Sequence, residues 1–263
     1  MDKITRKLYN DRIYQEALAR FGLASESVKK LGGFESFIYE FEREGGAYIL
    51  RISHSLHHPP DRTRGEMDFL KYLSENGLAA PRPQPSLAGN LVEVIPVKDS
   101  KTQEESYFSV VVVDKAPGGP PTKADRTPEL FVEMGRYMGR LHALSKKYRP
   151  SRPELRRHEW YEDEEDYAER YLPASEKLIA EKFSRLVAYL KALPCDPQGY
   201  GLIHMDFHGG NFFVHKDGGV PKITLFDYDD CAYAPYVYDI AMALFYAVPH
   251  HCDSPEDIEK ART

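Results

Sequence analysis

Residues 202–230 read "LIHMDFHGGNFFVHKDGGVPKITLFDYDD", and this stretch decides the fold. His204, Asp206, His208 and Asn211 crowd one turn-rich segment, and an apolar run then drives straight into Asp227, Asp229 and Asp230. Gly209 and Gly210 permit a sharp turn after the first cluster. "NFFVH", then "DGG", then "KITLF" predicts a β-hairpin that holds Asn211 and Asp227 on neighbouring strands at a fixed separation.

A carboxylate and a carboxamide held this way are hard oxygen donors. Magnesium takes few such protein ligands and keeps several waters, leaving room for phosphates. Phosphoryl transfer from a nucleotide needs an acceptor hydroxyl positioned, its proton accepted and the phosphate charge neutralised. In the pattern H-x-D-x-x-x-x-N, Asp206 is the expected base and Asn211 a metal ligand, with Asp227 as the second.

Outward from this core, the chain alternates elements. A helix is expected over Lys7 to Phe21, ended by Gly22. "LGGFESFIYEF" and "AYILRIS", joined by "EREGG", predict an antiparallel hairpin. "HHPPDRTRG" reads as a loop, and Glu66, Phe69, Leu70 and Leu73 then recur at helical intervals until Gly77 and the breaker "APRPQP". "NLVEVIPV" and "YFSVVVV" are strands, the second apolar on both faces as a buried central strand is. At "DKAPGGPP" the composition turns to proline and glycine, which marks a boundary between a small mainly β half and a larger helical half. Beyond it, "PELFVEMGRYMGRLHALS" is an amphipathic helix and Ser175 to Leu193 a further one.

Composition excludes several classes. With 263 residues, 42% hydrophobic and 29% charged, the chain has ample core-forming material. A net charge of −6 supplies no global positive field for nucleic acid or an anionic membrane. Cys195, Cys231 and Cys252 lie far apart without a C-x-x-C pair, which points to a reducing cytoplasm rather than a disulfide framework. "MDKITRKLYNDRIYQ" lacks the apolar centre of a signal peptide, and the run from Ile240 to Val248 is too short to span a bilayer. A soluble cytoplasmic protein is expected, with oligomeric state left open.

"HMDFHGGN" followed by "LFDYDD" resembles the catalytic loop and metal-binding segment of the aminoglycoside phosphotransferase and choline kinase family, from about Leu31 through Ala247. The resemblance implies an α+β, bilobal protein-kinase-like fold, with an N-terminal nucleotide-binding lobe over 1–116 and a C-terminal catalytic and acceptor-binding lobe over 117–263. It implies ATP and Mg2+ as cofactors, a small-molecule hydroxyl acceptor such as an aminoglycoside, choline or homoserine, Asp206 as catalytic base, and Asn211 and Asp227 as metal ligands. By the same matching, His204 supports the loop and Asp239 in "YVYDIAMAL" is structural. Arg51 in "LRI" stands for the phosphate-binding cation, and Glu66 is the helix carboxylate that pairs with it. Backbone groups near Gly33 to Ser36 approach the phosphates, and those of Asp114 and Ala116 hold adenine.

The sequence departs from the pattern in places. Arg51 stands where many relatives carry lysine, and a guanidinium bridges phosphate and carboxylate with different geometry. "LGGFES" is not G-x-G-x-x-G. Relatives carry further helices beyond "YDIAMALFYA", so the acceptor site is expected to be incomplete. Alternative readings are a serine/threonine protein kinase on the same scaffold and a nucleotide-binding module without turnover. H-x-D-x-H over His204 to His208 also suits a transition-metal hydrolase. The acidic run from Glu159 to Glu169 is either a solvated helix face or, with Trp160, a binder of cationic acceptors. Tyr228, Asp229 and Asp230 line the acceptor pocket or cap the strand, and either aspartate is a candidate contact for a second magnesium.

Overall fold

The computed structural model describes residues 3–99, 102–164 and 167–247. Two compact units emerge. The first comprises the described residues up to Tyr137 together with Tyr148–Arg156 and Gly209–Asp229; the second comprises Met138–Lys147, Arg157–His208 and the described residues from Asp230 on.

The first unit begins with two short helices, α1 (Lys3–Leu8) and α2 (Asp11–Arg20), where the periodicity predicts one. Asn10 breaks them apart. Its extended backbone and its side chain, accepting from the Ile13 N–H at 3.2 Å, make it the N-cap of α2. A six-stranded sheet follows, ordered β1 (Val28–Lys30), β2 (Ser36–Arg43), β3 (Gly46–His54), β6 (Glu105–Asp114), β4 (Pro83–Gln84), with β5 (Glu93–Lys98) also paired to β6. The two expected hairpins are present, and β6 is the central strand its two-faced apolar sequence predicts. Strand β1 and the two-residue β4 inside the "APRPQP" breaker escape a periodicity argument because neither is long enough to show alternation.

Register assigns the two faces of the sheet. Phe37 pairs with Ile52 and Tyr39 with Leu50, and these in turn face Val110 and Val112 of β6. Together with Ile13, Ala17, Leu18 and Phe21 they form the buried core under α2. Alternation sends Ile38, Arg51 and Val111, and the row Ser36, Ser53 and Ser109, to the opposite face. Helix α3 (Pro60–Glu75) supplies Glu66 to the guanidinium on that face. It starts earlier than expected, so "PDRTRG" is helical rather than loop. Pro60 takes the first turn, where its missing N–H costs nothing. The hairpin β8 (Phe212–Asp217) and β9 (Val220–Leu225) belongs to this unit too. Gly119 and Val214 exchange backbone hydrogen bonds at 3.2 and 2.8 Å, tying the proline-glycine segment to β8. Gly118 has φ +85°, and a Cβ there would lie 2.1 Å from the Val214 carbonyl oxygen, so only glycine fits.

Helix α4 (Pro128–Ser145) begins in the first unit, and its last turns count with the second. The second unit holds α5 (Trp160–Glu164), α6 (Tyr167–Tyr171), α7 (Lys177–Lys191) and α8 (Val237–Ala247), with the antiparallel pair β7 (Tyr200–Ile203) and β10 (Ala232–Pro235). A small cluster of Ile203, Ala234 and Tyr236 packs with Trp160 and Met205. Gly201 lets the chain approach Tyr236, whose hydroxyl oxygen would lie 2.2 Å from an added Cβ. Helix α8 carries the apolar run as far as Ala247; Val248, Cys252, and Glu165 and Asp166 of the acidic run lie outside the described residues. Among the described residues no helix is long and apolar enough to cross a membrane.

Candidate active site

In the first unit, Arg51 is the hub. β3 delivers it from the middle of the sheet, 8% exposed, and α3 brings Glu66, 2% exposed, to its Nη2 at 2.5 Å. Its Nη1 lies 3.7 Å from Asp227 Oδ1 and 3.5 Å from Asp229 Oδ2. Burial works against the guanidinium charge, but Glu66, Asp229 and Asp227 outweigh it and raise the pKa. Arg51 is therefore a fixed cation. Its Nε is buried without a hydrogen-bond partner, a donor that an incoming anion's oxygen would satisfy.

Asp227 stands at the end of β9 with φ +67°, a left-handed conformation that a non-glycine residue holds only under constraint. The constraint is visible one residue earlier, where the Phe226 N–H donates to the Asn211 carbonyl at 2.8 Å and extends the hairpin ladder. Asn211, 8% exposed, and Asp227 thus leave adjacent strands at a set spacing, as the sequence predicts. The Asp227 side chain keeps 48% of its surface, so it is only partly desolvated. That desolvation, with the repulsion of Asp229, pushes its carboxyl well above the usual range while Arg51 opposes. A carboxamide and a carboxylate pressed by a second carboxylate form a donor set that suits a hard divalent cation.

The glycine loop Leu31–Ser36 enters the same unit. A Cβ on Gly33 would meet the Ser36 carbonyl oxygen at 2.0 Å, so the tight turn requires glycine. Ser36 opens β2, and its hydroxyl shares a 2.8 Å hydrogen bond with Ser53. Glu35 lies beside His58, whose Nε2 is 3.3 Å from Glu35 Oε2 and 3.5 Å from Asp229 Oδ2. His58 holds the Glu35 carboxyl below the ordinary carboxylate range. Burial pulls the imidazole down, but the two carboxylates prevail and raise it. At the end of β6, the Asp114 N–H donates to the Arg82 carbonyl at 3.0 Å and the Lys115 N–H to the Ala47 carbonyl at 2.9 Å. The Asp114 carbonyl and the Ala116 amide alternate with these spent groups.

Asp206 belongs to the second unit, on the loop after β7. Asp239, fully buried at the start of α8, accepts the His204 N–H at 3.3 Å and the Met205 N–H at 3.0 Å. His142 from α4 meets the same carboxylate at 2.8 Å. Met205 is driven to φ +73°, and the Asp206 N–H returns to His204 Nδ1 at 3.2 Å. His204 is thus an internal brace, as its place in the motif predicts. His208 Nε2 lies 3.2 Å from Asp206 Oδ2, so the H-x-D-x-H residues engage one another rather than converging as metal ligands. Sequence reading missed His208 as a partner of Asp206, and missed Glu35 and His58 altogether. The only signal for the latter pair was the density of charge and histidine around "LGGFES" and "HHPP".

Comparison with known proteins places this geometry among relatives. Residues 27–260 match the profile described as "Phosphotransferase enzyme family". Amicoumacin kinase of Bacillus subtilis (strain 168) is 35% identical over 242 residues, spanning 92% of this chain and 69% of that protein. The structure of an amicoumacin kinase, hAmiN, in complex with AMP-PNP, Ca2+ and Ami superposes with a TM-score of 0.85 at 32% identity, covering 98% of this chain and 77% of that one. A microcompartment-associated aminopropanol kinase shares the fold at a TM-score of 0.69 and 24% identity, over 96% and 79% of the two chains.

Proposed function

This chain belongs to the phosphotransferase enzyme family, and from that premise we propose that it transfers the γ-phosphoryl group of ATP, with magnesium, to a hydroxyl of a small molecule. The observation that carries the reading is Arg51, a buried cation paired to Glu66 and reaching both Asp227 and Asp229. The similarity to amicoumacin kinase makes a compound of the amicoumacin class the first acceptor to try. The nucleotide-binding work falls to residues 1–116 and the catalytic and acceptor-binding work to 117–263, in the cytoplasm, where ATP and magnesium are supplied.

In this reading the guanidinium of Arg51 neutralises phosphate oxygens, its unpartnered Nε offering a donor fixed in the guanidinium plane that a lysine lacks. Backbone amides from Gly33 to Ser36 approach the phosphates from the loop. The Asp114 carbonyl and the Ala116 amide present an acceptor and a donor to the adenine edge. Asn211 and Asp227 would hold the magnesium, which when bound neutralises charge developing on the phosphoryl oxygens. Asp206 accepts the proton of the acceptor hydroxyl as that oxygen bonds to the γ-phosphorus and the bond to the ADP oxygen breaks. His208 orients the Asp206 carboxylate, and Asp239 with His142 fixes the loop that carries it.

Asp206→Asn keeps the shape of the loop and removes the base. Transfer, followed as ADP release with magnesium-ATP and a panel of small alcohols, should fall by about a hundredfold or more, while nucleotide affinity stays within about twofold. An unchanged rate removes Asp206 from the role. Labelling of peptides with refusal of every small alcohol would favour a protein substrate.

A further inference from the structure

The nucleotide reading gives the glycine loop a task, yet the loop's own attachments are few. At its base the Leu31 N–H donates to the Ile38 carbonyl at 2.8 Å and the Ser36 hydroxyl meets Ser53. Its tip projects, with Phe34 83% exposed. The carboxylate of Glu35 is what ties that tip inward. It meets His58, which sits on the turn between β3 and α3, 7% exposed, its own N–H donating to the His54 carbonyl at 3.0 Å. His58 Nε2 is fully buried without an aligned hydrogen-bond partner, directed at Glu35 on one side and Asp229 on the other.

Asp229 is the second half of the pattern. Its Oδ2 stands 3.5 Å from both Arg51 Nη1 and His58 Nε2. Arg51 joins α3 to the segment after β9, and His58 joins the glycine loop to the same segment. A carboxylate held by both the buried Arg51 guanidinium and the buried His58 imidazole is an anchor, whereas Asp227 faces only the guanidinium of the two.

We propose that His58 is a positioning residue of the phosphotransfer site: bridging Glu35 and Asp229, it latches the glycine loop against the segment that carries Asp227 and so presets the loop amides for the nucleotide phosphates. The latch rests on the kinase reading for its purpose and on geometry alone for its existence. It concerns ground-state placement of the nucleotide rather than the chemical step.

The test uses the full chain with His58→Gln, Glu35→Gln and the double variant. In the nucleotide-free protein, millisecond hydrogen–deuterium exchange of peptides over residues 31–37 should quicken about fivefold in each single variant and no further in the double. Under turnover, the KM for ATP should rise about fivefold to tenfold with kcat within about twofold, again without addition in the double variant. Unaltered loop exchange, additive KM effects or a loss confined to kcat each overturn the latch. Should His58→Gln fail to fold, Glu35→Gln, at a partly exposed loop position, carries both measurements alone. If the unaltered chain neither binds nor turns over magnesium-ATP, the kinase reading fails, while exchange in the nucleotide-free chain still decides whether the latch exists.

Discussion

Arg51 shows how one side chain sets the chemistry available. A lysine there would place a compact point charge near Glu66, whereas the planar guanidinium spreads its donors so that Glu66 takes one end and Asp227 with Asp229 the other. Arg51→Lys should therefore keep the α3 contact and loosen the hold on the segment after β9, raising the KM for ATP about threefold to tenfold with a smaller effect on kcat. Steady-state kinetics at fixed magnesium check it, and an unchanged KM would assign Arg51 a packing role. Arg51→Ala is harsher, because it strands Glu66, 2% exposed, as an unpaired buried charge; a loss of about 3–5 kcal/mol of stability is expected, read by denaturant melts. At this scale the sequence was legible wherever chemistry comes in motifs. Asp206, Asn211 and Asp227 are proposed from the spacing of one motif, and Arg51 with Glu66 from the resemblance to the family. Glu35 and His58 are not, since their meeting depends on how a loop folds back, and no local pattern encodes that.

The elements differ in how openly the sequence declares them. Strands β2 and β5 are readable because alternation writes the buried face into every second residue, and β6 because its unbroken apolar run marks a strand buried on both faces. The split between α1 and α2 hides behind an almost continuous apolar period, and only the capping chemistry of Asn10 reveals it. Helix α3 starts within a proline-rich stretch that reads as a breaker, because Pro60 ends one conformation and begins another with the same fixed φ. Gly118 is the element-scale test of why the proline-glycine segment has this composition. Gly118→Ala sets a methyl 2.1 Å from the Val214 carbonyl oxygen and forces a positive φ on a side chain, so the contact to β8 must part. A loss of about 1–3 kcal/mol is expected. Because β8 begins directly after Asn211, weaker metal-nucleotide binding should accompany the lower melting temperature. Gly119→Ala, which meets nothing within 4 Å, is the control.

At the scale of the whole molecule, the described residues of the two units are packed differently. The first has a deep core from α2 and four adjoining strands, with Ile13, Leu50, Ile52, Phe108 and Val110 fully buried. Among the described residues of the second, Ile203 clusters with Ala234 and Tyr236, and α7 buries Val187 while leaving Leu178, Ile179, Leu186 and Tyr189 exposed. Stability that a ligand adds is confined to the structure that must be folded to bind it, about 2.7 kcal/mol at a hundredfold excess over Kd. The residues assigned to phosphates, adenine and metal lie in the first unit, with Asp206 alone among the predicted site residues in the second. Magnesium-ATP should thus slow amide exchange strongly over β2, β3 and the β8–β9 hairpin, while exchange in α7 stays near its nucleotide-free rate. Hydrogen exchange read by mass spectrometry at saturating and zero nucleotide separates the outcomes. Equal slowing in α7 would mean that both units open in one cooperative step, and the exposed face of α7 would then be no guide to its local stability.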